Sequence, residues 1–372
     1  MIKNLHISQI DTHFANGTYP IEFFFFYPHK IETSTIRKAL ETASKIFWPA
    51  FGTYEQGIIH KQKFIEEKFI AEKTINEPFN QNQTENQIYN THKSSNPEAI
   101  ERLFFISVFQ YPNGTALIPK LSHLAGDGYS YFYFLMVLSA LASSRSTLKK
   151  WTIYYAYKPL STRNVLRSFR FQQQFENIIQ PSDNLDLVYM QLPKKQVKQH
   201  IKNCLAKHQI TISTNDVICS YILKKFNDLS LFSESIELTM PVDIRNHIKE
   251  YGPKYFGNAL LFSRNSYNIN DIKNMSVEKL AAEIRKSAPE INKVNYIDYL
   301  KSIEAQIEKG EYSGLRPFDP DKGCLVTNLS KLPTNKLNFG TGRPEIVSTI
   351  TKGKNSVAVL SDKDNFILRM MY

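Results

Sequence analysis

The apolar and polar positions of this chain follow two different periods, so both strands and helices are expected. Residues 21–27, Ile-Glu-Phe-Phe-Phe-Phe-Tyr, are almost wholly apolar and read as a strand buried on both faces. Ile36, Leu40, Ala43 and Phe47 recur at helical spacing and predict a helix over 35–47. Two apolar runs, 103–111 and 115–122, flank Pro112-Asn113-Gly114 and predict a hairpin, because Asn-Gly is a strong tight-turn signal. The second run leads directly into His123, and apolar residues resume over 129–141 as a helix. Further strands are expected at 185–192 and 237–242, further helices at 215–226 and 277–285. A C-terminal hairpin is expected over 356–360 and 365–371, turning at Asp362-Lys363-Asp364. The polar stretch 80–97 is poor in core residues and reads as a long surface connection. Strands and helices mixed without regular βαβ alternation predict an α/β chain of mixed α+β layers.

Composition narrows this. At 372 residues the chain exceeds what one core supports, so two domains are expected. With 42% apolar and 22% charged residues it is globular rather than disordered. Aromatics, 13% of the chain, suffice to fill a large core and to line an apolar pocket. Cys204, Cys219 and Cys324 are odd in number and at no metal-ligand spacing, which excludes a disulfide framework and fits a reducing cytosol. Lys3, His6, Asp11 and His13 interrupt the first fourteen residues, so no signal-peptide apolar region is read there. No stretch of 18 uncharged apolar residues is present to span a bilayer. A cytoplasmic protein with no transmembrane segment is the expectation.

The net charge of +11 is unevenly placed. No acidic residue occurs between Gly128 and Phe175, whereas Arg145, Lys149, Lys150, Lys158, Arg163, Arg167 and Arg170 do. On a helix over 161–174, Arg163, Arg167 and Arg170 would share one face, away from Leu166 and Phe169. Such a stripe suits a phosphorylated ligand, an acidic partner protein or an anionic membrane surface, or is simply a solvated connector. Nucleic acid is not expected, since no zinc spacing, basic-region helix or RNA-binding aromatic signature accompanies the charge.

The sharpest chemical feature is His123-Leu124-Ala125-Gly126-Asp127-Gly128, an HxxxDG at a strand end. A histidine there projects into a cleft as general base for an alcohol or amine, or else is a core histidine satisfied by a backbone carbonyl. The other eight histidines show no paired metal spacing, and His247, two residues after Arg245, is a candidate for the domain interface. Cys324 has nothing nearby to activate a thiolate and reads as a small buried hydrophobe. A phosphate-binding glycine loop and a G-x-S-x-G elbow are both missing, which excludes NTPase and serine hydrolase readings.

Taken with four other segments, this motif resembles the BAHD acyltransferases of the chloramphenicol acetyltransferase-like superfamily. Val242-Asp243-Ile244-Arg245 and Tyr255-Phe256-Gly257-Asn258-Ala259 are similar to that family's VDxR…YFGNA segment. Residues 337–344, Leu-Asn-Phe-Gly-Thr-Gly-Arg-Pro, are similar to its DFGWGKP signature, with Asn338 for the Asp and Thr341 for the Trp. Residues 326–330 lie where the family has a short Ser/Thr segment, and 46–52 resemble its yyPlAG stretch.

The resemblance implies two chloramphenicol-acetyltransferase-like domains, each a mixed sheet flanked by helices, with the active site in a tunnel at their interface. They divide into 1–165, carrying HxxxDG, and 166–372, carrying VDIR, YFGN and NFGTG. It implies His123 as the general base, with no acyl-enzyme, and Thr327 as oxyanion donor or simply a strand residue. Asp127 and Arg245 would pair to fix the loop, Gly126 and Gly128 would allow its tight dihedrals, and 338–344 would be structural. No permanently bound cofactor or metal is expected. Acyl-CoA would be the co-substrate, drawn by Arg163, Arg167 and Arg170 or by Lys149 and Lys150, and the chain would be a monomer. Two rival readings keep the fold: a condensation-type enzyme fed by an acidic acyl carrier protein, and a non-catalytic ligand-binding relative.

Overall fold

A computed structural model describes residues 4–15, 20–92, 103–144, 146–157, 185–334 and 336–372. In chain order the first half comprises β1 (Asn4–His6), α1 (Gln9–Ala15), β2 (Ile21–Tyr27), α2 (Thr33–Ile46), β3 (Thr53–Glu55), β4 (Ile58–His60) and β5 (Ile70–Thr74). It continues with α3 (Glu85–His92), β6 (Phe104–Tyr111), β7 (Gly114–Leu121), α4 (Gly128–Ser143) and α5 (Thr147–Tyr157). The second half holds β8 (Leu187–Pro193), α6 (Lys194–His208), α7 (Thr214–Asp228), β9 (Ser235–Asp243), β10 (Leu260–Asn268), α8 (Ile269–Asn274), α9 (Val277–Lys286) and α10 (Lys293–Glu308). It ends with β11 (Gly323–Asn328), β12 (Ile346–Thr349), β13 (Ser356–Ser361) and β14 (Asn365–Met371).

Two mixed sheets carry the molecule. The first has strand order β12-β2-β7-β6-β5, the second β10-β9-β11-β13-β14-β8, and a small third sheet is β1-β4-β3. β2 is buried along its whole length because the two faces of its sheet are covered by separate cores. Phe23, Phe25 and Tyr27 enter one, while Phe24 and Phe26 enter the other with Phe79 and Ile88. The hairpin forms as expected, except that Gly114 already pairs with Tyr111, leaving Pro112-Asn113 as the loop. A side chain at Gly114 is excluded, since its Cβ would lie 2.1 Å from the Tyr27 carbonyl oxygen. α4 is apolar nearly all round and is buried accordingly, packed against α2.

The halves interlock. β12, from late in the chain, pairs antiparallel with β2 and so edges the first sheet. Phe256, Phe262, Leu337 and Phe339 pack into the core of the first half. The second sheet has its own core, in which β9, β11, β13 and β14 meet α6, α7 and α9. The expected division at 165/166 falls in 158–184, outside the described residues, and so does the expected helix over 161–174 with its three arginines.

The stretch 80–97 requires a correction. Its part up to residue 92 contains α3, whose Glu85, Ile88 and His92 are buried rather than on the surface. The helix escapes an apolar-period reading because two of its three inward residues are polar. Among the described residues no helix is long and apolar enough to cross a membrane.

Candidate active site

β7 delivers the chain to His123 through a tight turn, in which the Ala125 N–H donates to the Ser122 carbonyl at 2.9 Å. Asp127 then caps α4, accepting from Ser130 N at 2.9 Å, as an aspartate at that position should. The loop's glycines differ from expectation. Neither Gly126 nor Gly128 has a positive φ, so dihedral freedom is not their contribution. Gly126 is required by crowding, since a Cβ there would lie 2.7 Å from the Ser130 Cβ. A Cβ at Gly128 would only touch Leu329 and Leu332 at 3.7 Å, so its lack of a side chain leaves room beside them.

Asp127 faces away from solvent and forms a bidentate pair with Arg245, which follows β9. One guanidinium nitrogen donates to Oδ1 at 2.9 Å and the other lies 2.9 Å from Oδ2. Ala259 N adds a fourth donor, after Ser130 N and the two guanidinium nitrogens, at 2.9 Å. Burial alone would raise the Asp127 pKa, but the charge and hydrogen bonds of Arg245, with those two backbone amides, hold it below its usual value. Arg245 also donates to Ser130 Oγ at 3.1 Å and to the Gly257 carbonyl at 3.0 Å. Asn258 completes the tie: its side-chain amide donates to the His123 carbonyl at 2.6 Å and to Asp11 Oδ1 at 2.7 Å. The YFGN segment therefore grips the histidine loop by backbone and side chain at once.

His123, Asp127, Gly128, Arg245 and Thr327 all line one cavity of about 350 Å³ between the two large sheets. Thr327 reaches it by strand alternation. Cys324 and Val326 of β11 point into the second core, so Leu325 and Thr327 point the other way. The remaining wall is mostly apolar, with Phe14, Phe23, Met240, Leu260 and Phe262 among its members. Three further cationic side chains, Arg316, Lys352 and Arg369, lie on the wall as well.

The His123 ring lies flat against Phe14, with centroids 4.5 Å apart and planes 8° from parallel. Its Nδ1 is buried with no hydrogen-bond partner among the described residues, leaving Nε2 as the nitrogen available to the cavity. Burial draws its pKa from 6.5 down to about 4, against the Asp127 carboxylate, which raises it. The imidazole is therefore neutral at pH 7 and able to accept a proton.

Of the other candidates, Cys324 is buried with its thiol pushed up to about 12, which makes it inert. His247 is exposed and lines no part of the cavity, correcting its expected place at the domain interface. Lys149 and Lys150 lie on α5, also away from the cavity. Arg163, Arg167 and Arg170 are outside the described residues. Residues 337–344 do not line the cavity either. There the Asn338 side-chain oxygen accepts from Gly340 N at 2.8 Å and Gly342 N at 3.1 Å. Among the described residues no group of His, Cys, Asp and Glu gathers as metal ligands. Sequence reasoning did not single out Phe14 or Arg369. Asn258 was visible within its motif but without a role.

Two mixed sheets facing one another across a cavity that holds an HxxxDG histidine are the architecture of the chloramphenicol acetyltransferase-like superfamily. The family model described as the Transferase family matches residues 70–366, and the chain belongs to that family, the BAHD acyltransferases. No curated protein sequence matches it. Among solved structures it is similar to vinorine synthase, with a TM-score of 0.72 and 16% identity over 99% of this chain and 89% of that one. F. sporotrichioides TRI101 complexed with coenzyme A and T-2 gives 0.71 and 13% over 99% of this chain and 94% of that one. The first condensation domain of the CDA synthetase gives 0.59 and 10% over 99% and 89%. At these identities the likeness is one of fold.

Proposed function

We propose that the protein transfers an acyl group from acyl-CoA to a hydroxyl or amine acceptor, with His123 as general base. The single observation that carries this is a histidine on the cavity wall whose Nε2 is left to the cavity while Nδ1 is enclosed. Coenzyme A as the donor's carrier is supported by its presence in the TRI101 complex, a protein of the same fold.

His123 Nε2 takes the acceptor's proton as the acceptor's oxygen or nitrogen attacks the thioester carbonyl. A C–O or C–N bond forms, the carbonyl electron pair moves onto oxygen, and His123 becomes an imidazolium. The oxyanion then collapses, the C–S bond breaks, and the departing thiolate takes the proton back from His123. Thr327, on the same cavity wall, is the hydroxyl we assign to the oxyanion, a stabilisation typically worth about 3 kcal/mol. Asp127 and Arg245 do not exchange protons in this scheme. Their buried pair fixes the loop from which His123 is aimed. Residues 1–165 and 166–372 are taken as the two domains, with the second lending β12 to the sheet of the first.

The test is thiol release from a panel of acyl-CoAs, acetyl to long-chain and aromatic, with mixed alcohols and amines, using wild type and His123→Ala. Acceptor-dependent release that falls roughly 10²- to 10⁴-fold in the variant is the expected result. Release unaffected by His123→Ala would overturn the assignment of the base. Silence with every acyl-CoA, but turnover with an acyl carrier protein thioester, would replace coenzyme A as donor.

A further inference from the structure

We propose that Phe14 is the positioning residue for His123, its ring face holding the imidazole in the plane from which it takes the acceptor's proton. This rests on the reading of His123 as the base.

A catalytic histidine is usually oriented by a hydrogen bond to its second ring nitrogen. Here the described residues supply no such bond. Nδ1 is enclosed without a partner among the described residues, and the nearest acid in sequence, Asp127, is committed to Arg245, Ser130 and Ala259. Asn258 holds the His123 carbonyl, which fixes the backbone rather than the ring. Against the ring lies Phe14, stacked in parallel at 4.5 Å.

Phe14 is itself well fixed. It is 5% exposed and packs against Phe262 at 6.0 Å on its own account. Its neighbour His13 donates from Nδ1 to the Leu315 carbonyl at 2.6 Å and meets the Tyr299 hydroxyl at 3.2 Å through Nε2. Asp11, one turn earlier on α1, receives the Asn258 amide. α1 is thus fastened to the second half at Asp11 and at His13, the two polar residues that precede the aromatic contact, and Phe14 itself is buried against Phe262.

The contact also bears on charge. During the reaction His123 becomes cationic in a wall that is largely apolar. A phenyl face presents negative electrostatic potential to a ring stacked on it, and this attraction grows when the imidazole is protonated. The benefit therefore appears in the transition state and not in substrate binding, which places it in kcat. The charged groups gathered about His123 are Asp127 on its own loop, Asp243 and Arg245 at the end of β9, and Asp11 behind Asn258. Arg316, Lys352 and Arg369 stand on the same cavity wall. None of these is altered by changing Phe14.

The experiment uses the full chain and whichever acyl-CoA and acceptor pair proves active. Phe14→Leu keeps the apolar filling and removes the aromatic face, and Phe14→Tyr keeps the face. For Phe14→Leu, kcat is expected to fall roughly 30-fold with both KM values within about twofold, and the acid limb of the kcat/KM profile to move to lower pH. Phe14→Tyr should stay within about threefold of wild type with an unmoved profile. If Phe14→Leu melts early, Phe14→Met carries the same expectation with a more adaptable side chain. Wild-type kcat and pH profile in a folded Leu or Met variant would overturn the proposal, as would Phe14→Tyr falling as far as Leu. His123→Ala run alongside separates the two claims. If that variant is dead while Phe14→Leu is intact, only the positioning role is lost; if it is active, the base itself is misassigned.

Discussion

Among the described residues two buried carboxylate–guanidinium pairs join the halves of the molecule, Asp127 with Arg245 and Glu85 with Arg369, and they are built differently. The Asp127 carboxylate accepts from two backbone amides besides its arginine, capping α4 and holding Ala259. It lies in the loop that carries His123. The Glu85 carboxylate accepts from Arg369 Nε at 2.7 and 2.8 Å and from a second guanidinium nitrogen, and its other partners are the side-chain hydroxyls of Tyr189 and Ser348. Among the described residues no backbone amide is tied to it, and it does not line the cavity, although Arg369 does. One pair sets the geometry of the loop that carries His123. The other fastens α3 to β14, the strand next to the edge of the second sheet.

Removing one partner of a buried pair strands the other charge, at about 3–5 kcal/mol. Asp127→Ala should reach the top of that range, because a helix cap worth about 1 kcal/mol goes with it. Turnover should collapse as the His123 loop relaxes. Glu85→Ala should lose about 3 kcal/mol of stability, with kcat kept within several-fold and KM changed by the freed Arg369 on the cavity wall. Urea denaturation beside steady-state kinetics on both variants tests the contrast. Equal losses of kcat would show that the two pairs do the same work.

The two pairs were also unequally legible. Asp127 and Arg245 are 118 residues apart, and what connected them was the resemblance of HxxxDG and VDIR to a family, not any local period. Glu85 sits in a polar stretch, and a buried carboxylate there carries no mark in the sequence when its partner is 284 residues away. The same division runs through the fold. Residues 21–27, the hairpin ending at Leu121 and the C-terminal hairpin follow from local pattern and were read nearly to the residue. α6 was not, since Val197 and Cys204 are its only fully buried side chains among many lysines. β12 was not, being four residues long and paired with a strand over 300 positions earlier. Phe14 is one of 25 phenylalanines, and nothing around it announces a contact with His123.

Acid sharpens the comparison, because histidines and carboxylates respond in different ranges. Burial holds His13 and His123 at about 4, with the Leu315 carbonyl raising His13 and Asp127 raising His123 only in part. The unfolded chain takes up these protons near 6.5 and the folded chain does not until about 4, so stability falls as pH drops through that window. For His13, 4% exposed, the loss by pH 4 is on the order of 3 kcal/mol. Asp127 behaves oppositely. Its folded value lies below the unfolded one, so its contribution stands throughout the window and is lost only at more acid pH. Denaturation midpoints between pH 7 and pH 4 should therefore decline in wild type and decline less steeply in His13→Asn. An unchanged slope in that variant would place the acid sensitivity elsewhere. Turnover, in contrast, should hold from neutrality to about pH 5 and fall near 4, as His123 protonates.

The smallest effect is expected where the chain departs from its family's signature. Asn338 stands for the family's aspartate, yet its side-chain oxygen already accepts from Gly340 N and Gly342 N. Both glycines have positive φ, +103° and +106°, and so need that support. Asn338→Asp would present a charged acceptor to the same two donors, but at an exposed position where solvent screens the gain to about 0.5 kcal/mol. A rise in Tm of about 1–2 °C with kcat unchanged within twofold is expected for a chain of this size. Gly340→Ala should do the reverse and cost about 1–2 kcal/mol through its backbone alone. Neither should alter the pH profile, since residues 337–344 do not touch the cavity. They lie between β11, which carries Thr327, and β12, which crosses to the first sheet. A change in kcat for Asn338→Asp would mean that this crossing, and not only the Asp127–Arg245 pair, governs how the two walls of the cavity meet.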